Sequence, residues 1–186
     1  MNIHDAIVTH VVEQLECALI NDIPADDPAR AGIVIPGPLQ GDPDPDQARI
    51  SVSVYENDPD GFFGKAGTSA NSDGWNDEVA ETECGGSAIW NRRFVVKARC
   101  LLVNTGEGRA SARAIASTVR SRIENCLLNL RWGEVHDDEM GEYVSRGVIA
   151  ESLQSEMVQA GGPPDAYDYH LKVRFEVQTT TLGVTL

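Results

Sequence analysis

The sequence predicts an α+β fold, an αββαββ two-layer sandwich with two helices packed on one face of a mostly antiparallel sheet. Three observations predict it. The stretch from Ile89 to Leu130 reads as a long strand, a glycine turn and a long helix. In its first part Phe94, Val96, Ala98, Cys100 and Leu102 fall on every second residue, with Arg93, Lys97 and Arg99 between them, so one face is apolar and the other charged. Beyond Asn104-Thr105-Gly106-Glu107-Gly108, the residues Ala112, Ile115, Val119, Ile123, Cys126 and Leu130 recur at steps of three and four, as on one stripe of a helix. Near the C-terminal end Tyr169, Leu171, Val173, Phe175 and Val177 alternate with His170, Lys172, Arg174, Glu176 and Gln178, the cleanest strand pattern in the chain. Each element brings one apolar face, and laying helix on sheet buries them together. The expected core is Phe94, Val96, Ile115, Val119, Ile123, Leu171, Val173 and Phe175.

Taken in order, Ile3, Ile7, Val11, Leu15, Ala18 and Leu19 form a first helical stripe, with Asp5 in the first turn where it complements the helix dipole. That helix ends near Asn21, and Pro24 and Pro28 prevent its continuation. Pro36 to Asp46 is dense in turn formers and reads as loop. Ile50, Val52 and Val54 alternate with Ser51, Ser53 and Tyr55 as a short strand. Between Asn57 and Ser87 the periodicity disappears, leaving a long arm that carries Phe62, Phe63 and Trp75, with a short strand placed near Glu78 to Thr82. After the central helix come an acidic loop from Gly133 to Gly141, an uneven strand from Tyr143 to Val158, and a turn at Gly161-Gly162-Pro163-Pro164-Asp165.

Length and composition bound the class. At 186 residues a single domain, 1–186, is expected. A domain of roughly 150 residues already buries close to 70% of its unfolded surface, so no disulfide staple is needed. Cys17, Cys84, Cys100 and Cys126 include no C-x-x-C pair, which fits reduced core thiols. Met1 to Leu19 has no basic leader region, and no apolar run approaches the roughly 18 residues of a membrane span, so a soluble, unsecreted chain is expected. The formal charge of −14 is lopsided: Met1 to Trp90 holds 17 acidic and 3 basic residues, Asn91 to Leu186 twelve of each. Such a balance disfavours direct DNA reading or packaging through phosphate contacts.

Candidate chemistry is sparse. Gly106-Glu107-Gly108-Arg109-Ala110-Ser111 follows a strand and opens a helix, as a dinucleotide fingerprint does. However, Ser111 replaces the third glycine, and Glu107 would stand beside a pyrophosphate. A plain strand-to-helix turn is favoured, and a small ligand- or nucleotide-binding domain using this turn is the different-class alternative. Asp42, Asp44 and Asp46 have calcium-like spacing but lack the glycine and the bidentate glutamate of an EF-hand. His136, Asp137, Asp138 and Glu139 read as a solvated loop. His4 and His10 do not share a helix face. No nucleophile–base signature stands out, so neither an enzyme nor a cofactor or metal site is expected.

The succession of elements, with segments such as Arg93-Phe-Val-Val-Lys-Ala-Arg99 and Tyr169-His-Leu-Lys-Val-Arg-Phe-Glu-Val177, resembles the tail terminator, or tail completion, proteins of tailed bacteriophages. The resemblance covers most of the chain. It implies a non-enzymatic virion protein, assembled in the host cytoplasm, that forms a hexameric ring, caps the tail tube, stops its polymerisation and meets the head-tail connector. DNA would pass through the ring lumen. A head-tail joining or other neck protein would use similar parts. Within this reading Phe62, Phe63 and Trp75 are the interface candidates, because aromatic residues dominate interface hot spots.

Overall fold

The computed structural model describes residues 2–38, 50–56, 80–82, 85–103, 108–160 and 166–181. Its class is α+β: two helices and a mostly antiparallel, curled sheet. Helix α1 (Ile3–Glu16) starts at Asn2, whose side chain accepts the Asp5 N–H at 2.8 Å, and its last turn widens to a π-turn over Cys17–Asn21. The strands follow as β1 (Ile33–Pro36), β2 (Ile50–Glu56), β3 (Ala80–Thr82) and β4 (Gly85–Val103). Helix α2 (Arg109–Asn129) precedes β5 (His136–Asp137), β6 (Glu142–Val148), β7 (Gln154–Ala160) and β8 (Ala166–Thr181).

The sheet runs β1-β2-β4-β8-β6-β5, with β3 on β4 and β7 on β8. Its spine is the antiparallel β4–β8 pair, in register without interruption from Ala88↔Thr181 to Val103↔Ala166. Among the described residues only β1 is parallel to its neighbour. β6 and β7 lie end to end on one edge of β8, pairing with Val177–Thr181 and Asp168–Arg174 respectively. A bulge between Val144 and Gly147 and a 3-10 turn at Ala150–Ser152 break what would otherwise be one strand, which explains the uneven alternation there. Gly147 has φ +71°, and a Cβ on it would stand 2.6 Å from Trp132 Cδ1, so only glycine lets the indole pack against the bulge.

Phe94, Val96, Ala98, Cys100 and Leu102 of β4 and Tyr169, Leu171, Val173, Phe175 and Val177 of β8 are buried with Ile50, Val52 and Val54 against both helices. On α1 the buried residues are Ile3, Ile7, Val11, Val12 and Leu15. On α2 they are Ala112, Ala116, Val119, Ile123 and Leu127. Ala112, Val119 and Ile123 of the expected stripe are thus buried, whereas Ile115, Cys126 and Leu130 are only partly buried at its margin and Ala116 and Leu127 lie on the contact line instead. The contact line starts with the small side chains of Ala112 and Ala116 and continues with Val119, Ile123 and Leu127.

Two further differences concern strands. Ile33-Val34-Ile35, a β-branched run ending at Pro36, forms the edge strand β1, where proline is tolerated because its missing N–H faces outward. The acidic loop expected from Gly133 to Gly141 contains β5, and Asp137 within it is buried, accepting the backbone N–H groups of Glu139 and Met140 at 3.0 and 3.2 Å. The expected arm residues 57–79, the Asp42–Asp46 run and Gly106-Glu107 lie outside the described residues.

Val119 is fully buried at the centre of α2. Val119→Asp should therefore unfold the domain, because an unpaired buried carboxylate costs several kcal/mol against a total of about 5–15. A urea titration showing a soluble, cooperatively unfolding variant of near-normal midpoint would contradict the packing.

Candidate interaction surface

Strand alternation places two different chemistries on the two sides of the sheet. The helix-free side carries Arg93, Val95, Lys97 and Arg99 of β4 opposite Glu176, Arg174, Lys172 and His170 of β8. β2 adds Ser51, Ser53 and Tyr55, and β7 adds Gln154, Glu156 and Val158. Three arginines are matched to carboxylates. Arg99 forks onto Asp168 with contacts of 2.7–3.1 Å, Arg93 Nε lies 2.8 Å from Glu176, and Arg174 lies 3.7 Å from Glu156. His170 adds a 3.3 Å contact to the same Asp168.

Two lysines stand apart from this pattern. Lys97 and Lys172 are directly opposite each other on the two central strands. Lys97 is exposed and lies over the Tyr55 ring at 5.3 Å, and neither ammonium has a carboxylate partner among the described residues. Like charges directly opposite destabilise a sheet. Across the other edge of β8, Glu156 stands opposite Lys172 but is the carboxylate nearest Arg174, so in a chain of net charge −14 this face still carries more basic than acidic groups, with Lys97 the most exposed of its lysines and arginines.

Beside it is a cavity of about 250 Å³ lined by Arg93, Arg174, Glu176, Ser152 and Gln154 over Phe94 and Phe175. Its hydroxyl is already committed: Ser152 Oγ donates to Ile149 O at 2.6 Å and accepts the Glu176 N–H at 2.8 Å. Ser152 is a strut between the 3-10 turn and β8 rather than a free nucleophile.

On the helix side one end of the core is polar. Arg92 Nε and Nη2 donate to Glu142 at 2.7 and 2.9 Å, and Thr179 Oγ1 donates to the same carboxylate. Arg92 Nη1 also contacts His4 Nε2. A guanidinium has only donors, so Nε2 is the accepting atom of this contact, and Nδ1 on the other side of the ring lies 2.7 Å from Glu56 Oε1. Trp90 covers the guanidinium at 5.4 Å. Neither Arg92 nor Glu142 was foreseen from the sequence, yet a signal exists, since Arg92 occupies the same alternation phase as Phe94. The other helical histidine, His10, bonds Arg131 O at 2.8 Å and packs on Trp132, tying α1 to the end of α2.

The remaining sequence candidates are dispersed. Phe62, Phe63 and Trp75 lie outside the described residues. Gly108, at φ +81°, turns the chain directly into α2. His136 is engaged by Glu134 O and Asp138, and among the described residues no three His, Cys, Asp or Glu side chains converge as a metal site requires. Cys17, Cys100 and Cys126 are free thiols. Burial, helped by the Asp168 charge, pushes Cys100 up to about 12, and burial with Cys17 nearby pushes Cys126 up to about 11. Among the described residues no helix is long and apolar enough to cross a membrane. In comparisons with known proteins, no family model and no curated protein matches the chain.

Two measurements follow from this geometry. Because Lys172 has Lys97 across one ladder and Glu156 across the other, Lys172→Gln should leave the denaturation midpoint nearly unchanged, whereas Glu156→Gln should cost about 0.2–1 kcal/mol in a denaturant titration. Because the Cys100 and Cys126 thiols are raised in the folded state, their contribution is complete below the ordinary thiol value near 9 and is lost as pH rises towards 11–12. The melting midpoint should fall over that alkaline window, less steeply in Cys100→Ala than in the parent once the parent's neutral-pH midpoint is subtracted.

Proposed function

We propose that the protein is a non-enzymatic structural component of a phage virion, a tail terminator whose ring caps the tail tube and joins it to the head-tail connector. In this reading the two helices, β2, β4, the end-to-end pair β6 and β7 counted as one interrupted strand, and β8 form the αββαββ two-layer sandwich, and β1, β3 and β5 are additions to it. The observation that carries the proposal is the separation of charge. A ring built from head-to-tail contacts needs two different complementary patches on each subunit. Here a positively charged sheet face belongs to a chain whose acidic excess lies wholly in residues 1–90. An acidic remainder would also let DNA pass a lumen without adhering.

The paired cavity arginines and the committed Ser152 hydroxyl favour an assembly role over a catalytic one. A neck protein that joins head to tail would use the same surfaces towards a different neighbour, and the purified tail tube as target distinguishes the two.

The experiment replaces Phe62, Phe63 and Trp75 together by Ser. If these aromatics anchor a neighbouring subunit or the tube, the monomer keeps its melting midpoint while ring formation and tube capping, followed by electron microscopy, are abolished. A lost hot-spot aromatic costs an interface about 2 kcal/mol or more. A large fall in midpoint with capping intact would instead place all three in the protein's own fold and remove them from the interface.

A further inference from the structure

We propose that the helix-free sheet face around Lys97 and Lys172 is a docking site for the acidic stretch 73–78 of a second copy of this chain. The proposal rests on the assembly reading above and supplies the contact that reading leaves undefined. On this face Arg93 and Arg99 each have a carboxylate, Arg174 and Lys172 have only Glu156 beside them, and Lys97 faces Lys172 without any carboxylate within ion-pair distance among the described residues. An approaching pair of carboxylates relieves that repulsion as well as forming its own contacts. An adjacent apolar foothold exists too, because Val158, on the same face in the row of Arg99 and His170, is 58% exposed.

The occupant follows from sequence and reach. Asp73-Gly-Trp-Asn-Asp-Glu78 offers three carboxylates and one large aromatic without a basic residue. It suits two ammonium groups beside an apolar contact. In its own chain this stretch is tethered to Ala80, which pairs with Ser87. From Ser87 to Lys97 is ten residues of β4, about 30 Å at roughly 3.3 Å per residue, whereas Asp77 and Glu78 lie within three residues, or about 10 Å, of Ala80. Even with extended side chains Asp77 and Glu78 fall short of their own lysine pair, so the contact proposed for these two carboxylates is to a neighbour, which makes it heterologous, the kind that builds rings. Nucleic acid is a poorer occupant. Two uncompensated cations neutralise few phosphates, and the rest of the chain repels them.

The test is a charge swap followed by sedimentation velocity at low and high salt. Wild type should show concentration-dependent mass that diminishes with salt. Lys97→Glu with Lys172→Glu, and separately Asp77→Lys with Glu78→Lys, should each weaken self-association about tenfold or more, as opposed charges become like charges. Mixing the two variants should restore association, because the basic stretch of one now meets the acidic face of the other. Unchanged melting midpoints establish that both are folded, and Lys97→Gln with Lys172→Gln serves as the gentler variant if the reversal is not. A wild type that stays monomeric throughout, variants that associate like wild type, or a mixture without restoration each overturns the proposal. So does lysine-dependent binding of a duplex oligonucleotide by the wild type. Tube capping is measured in parallel. Capping that survives the lysine changes leaves the terminator reading standing and this docking site lost, whereas restored association without any capping by wild type does the reverse.

Discussion

The uninterrupted β4–β8 ladder is the constraint on which the rest of the structure depends. Side chains on paired strands alternate with a period of two, so one register decides which residues meet the helices and which meet solvent. In the observed register Phe94 stands opposite Phe175, their rings 5.7 Å apart, and Val96, Ala98 and Cys100 stand opposite Val173, Leu171 and Tyr169. A slip of one residue on β8 would turn His170, Lys172, Arg174 and Glu176 toward α1 and α2. The cost of burying those groups exceeds any cross-strand preference, since a pair contributes only about 0.2–1 kcal/mol. The helices thus fix the register, and the register creates the charged outer face as a by-product.

Arg92, Glu142 and Thr179 break the apolar phase at one end of this ladder. Replacing a buried ion pair by apolar residues is often neutral or stabilising, so the Arg92–Glu142 fork is weak evidence of added stability. Its geometry points to positioning instead. Arg92 reaches His4 in the first turn of α1, His4 reaches Glu56 at the end of β2, and Glu142 holds Thr179 near the end of β8. Four separate elements besides β4 are held at one point, and an apolar cluster, having no direction, would define their relative angle less sharply.

Much of this frame was legible because its signals are periodic. The even-numbered phase of Phe94 to Leu102, the odd-numbered phase of Tyr169 to Val177 and the stripe of α1 each repeat often enough to identify both element and face. What escaped reading is aperiodic or tertiary. Ala116 and Leu127 rather than Ile115 and Cys126 define the α2 contact, because closeness of approach depends on the sheet beneath, which no helical repeat encodes. The Ile33–Pro36 strand is too short to alternate, and the Gly147 bulge needs Trp132 in place before its glycine has a meaning. For the interaction surface, Lys97 and Lys172 were each visible as outward residues, but their apposition follows only from the strand pairing.

The same apposition bears on how a chain of net charge −14 approaches its own kind. At physiological salt, exposed charges are largely screened beyond about 8 Å. Net charge then governs the frequency of encounters, and the few groups within that distance govern which encounters persist. Two such copies repel over most of their surface, which suppresses unspecific aggregation. The Lys97–Lys172 face is one region where that repulsion changes sign. A uniformly acidic surface would keep the monomers apart, and a uniformly mixed one would let them meet in many orientations. A positively charged sheet face on an otherwise acidic chain permits few, and a contact between unlike patches is heterologous, leaving one patch of each copy free for the next.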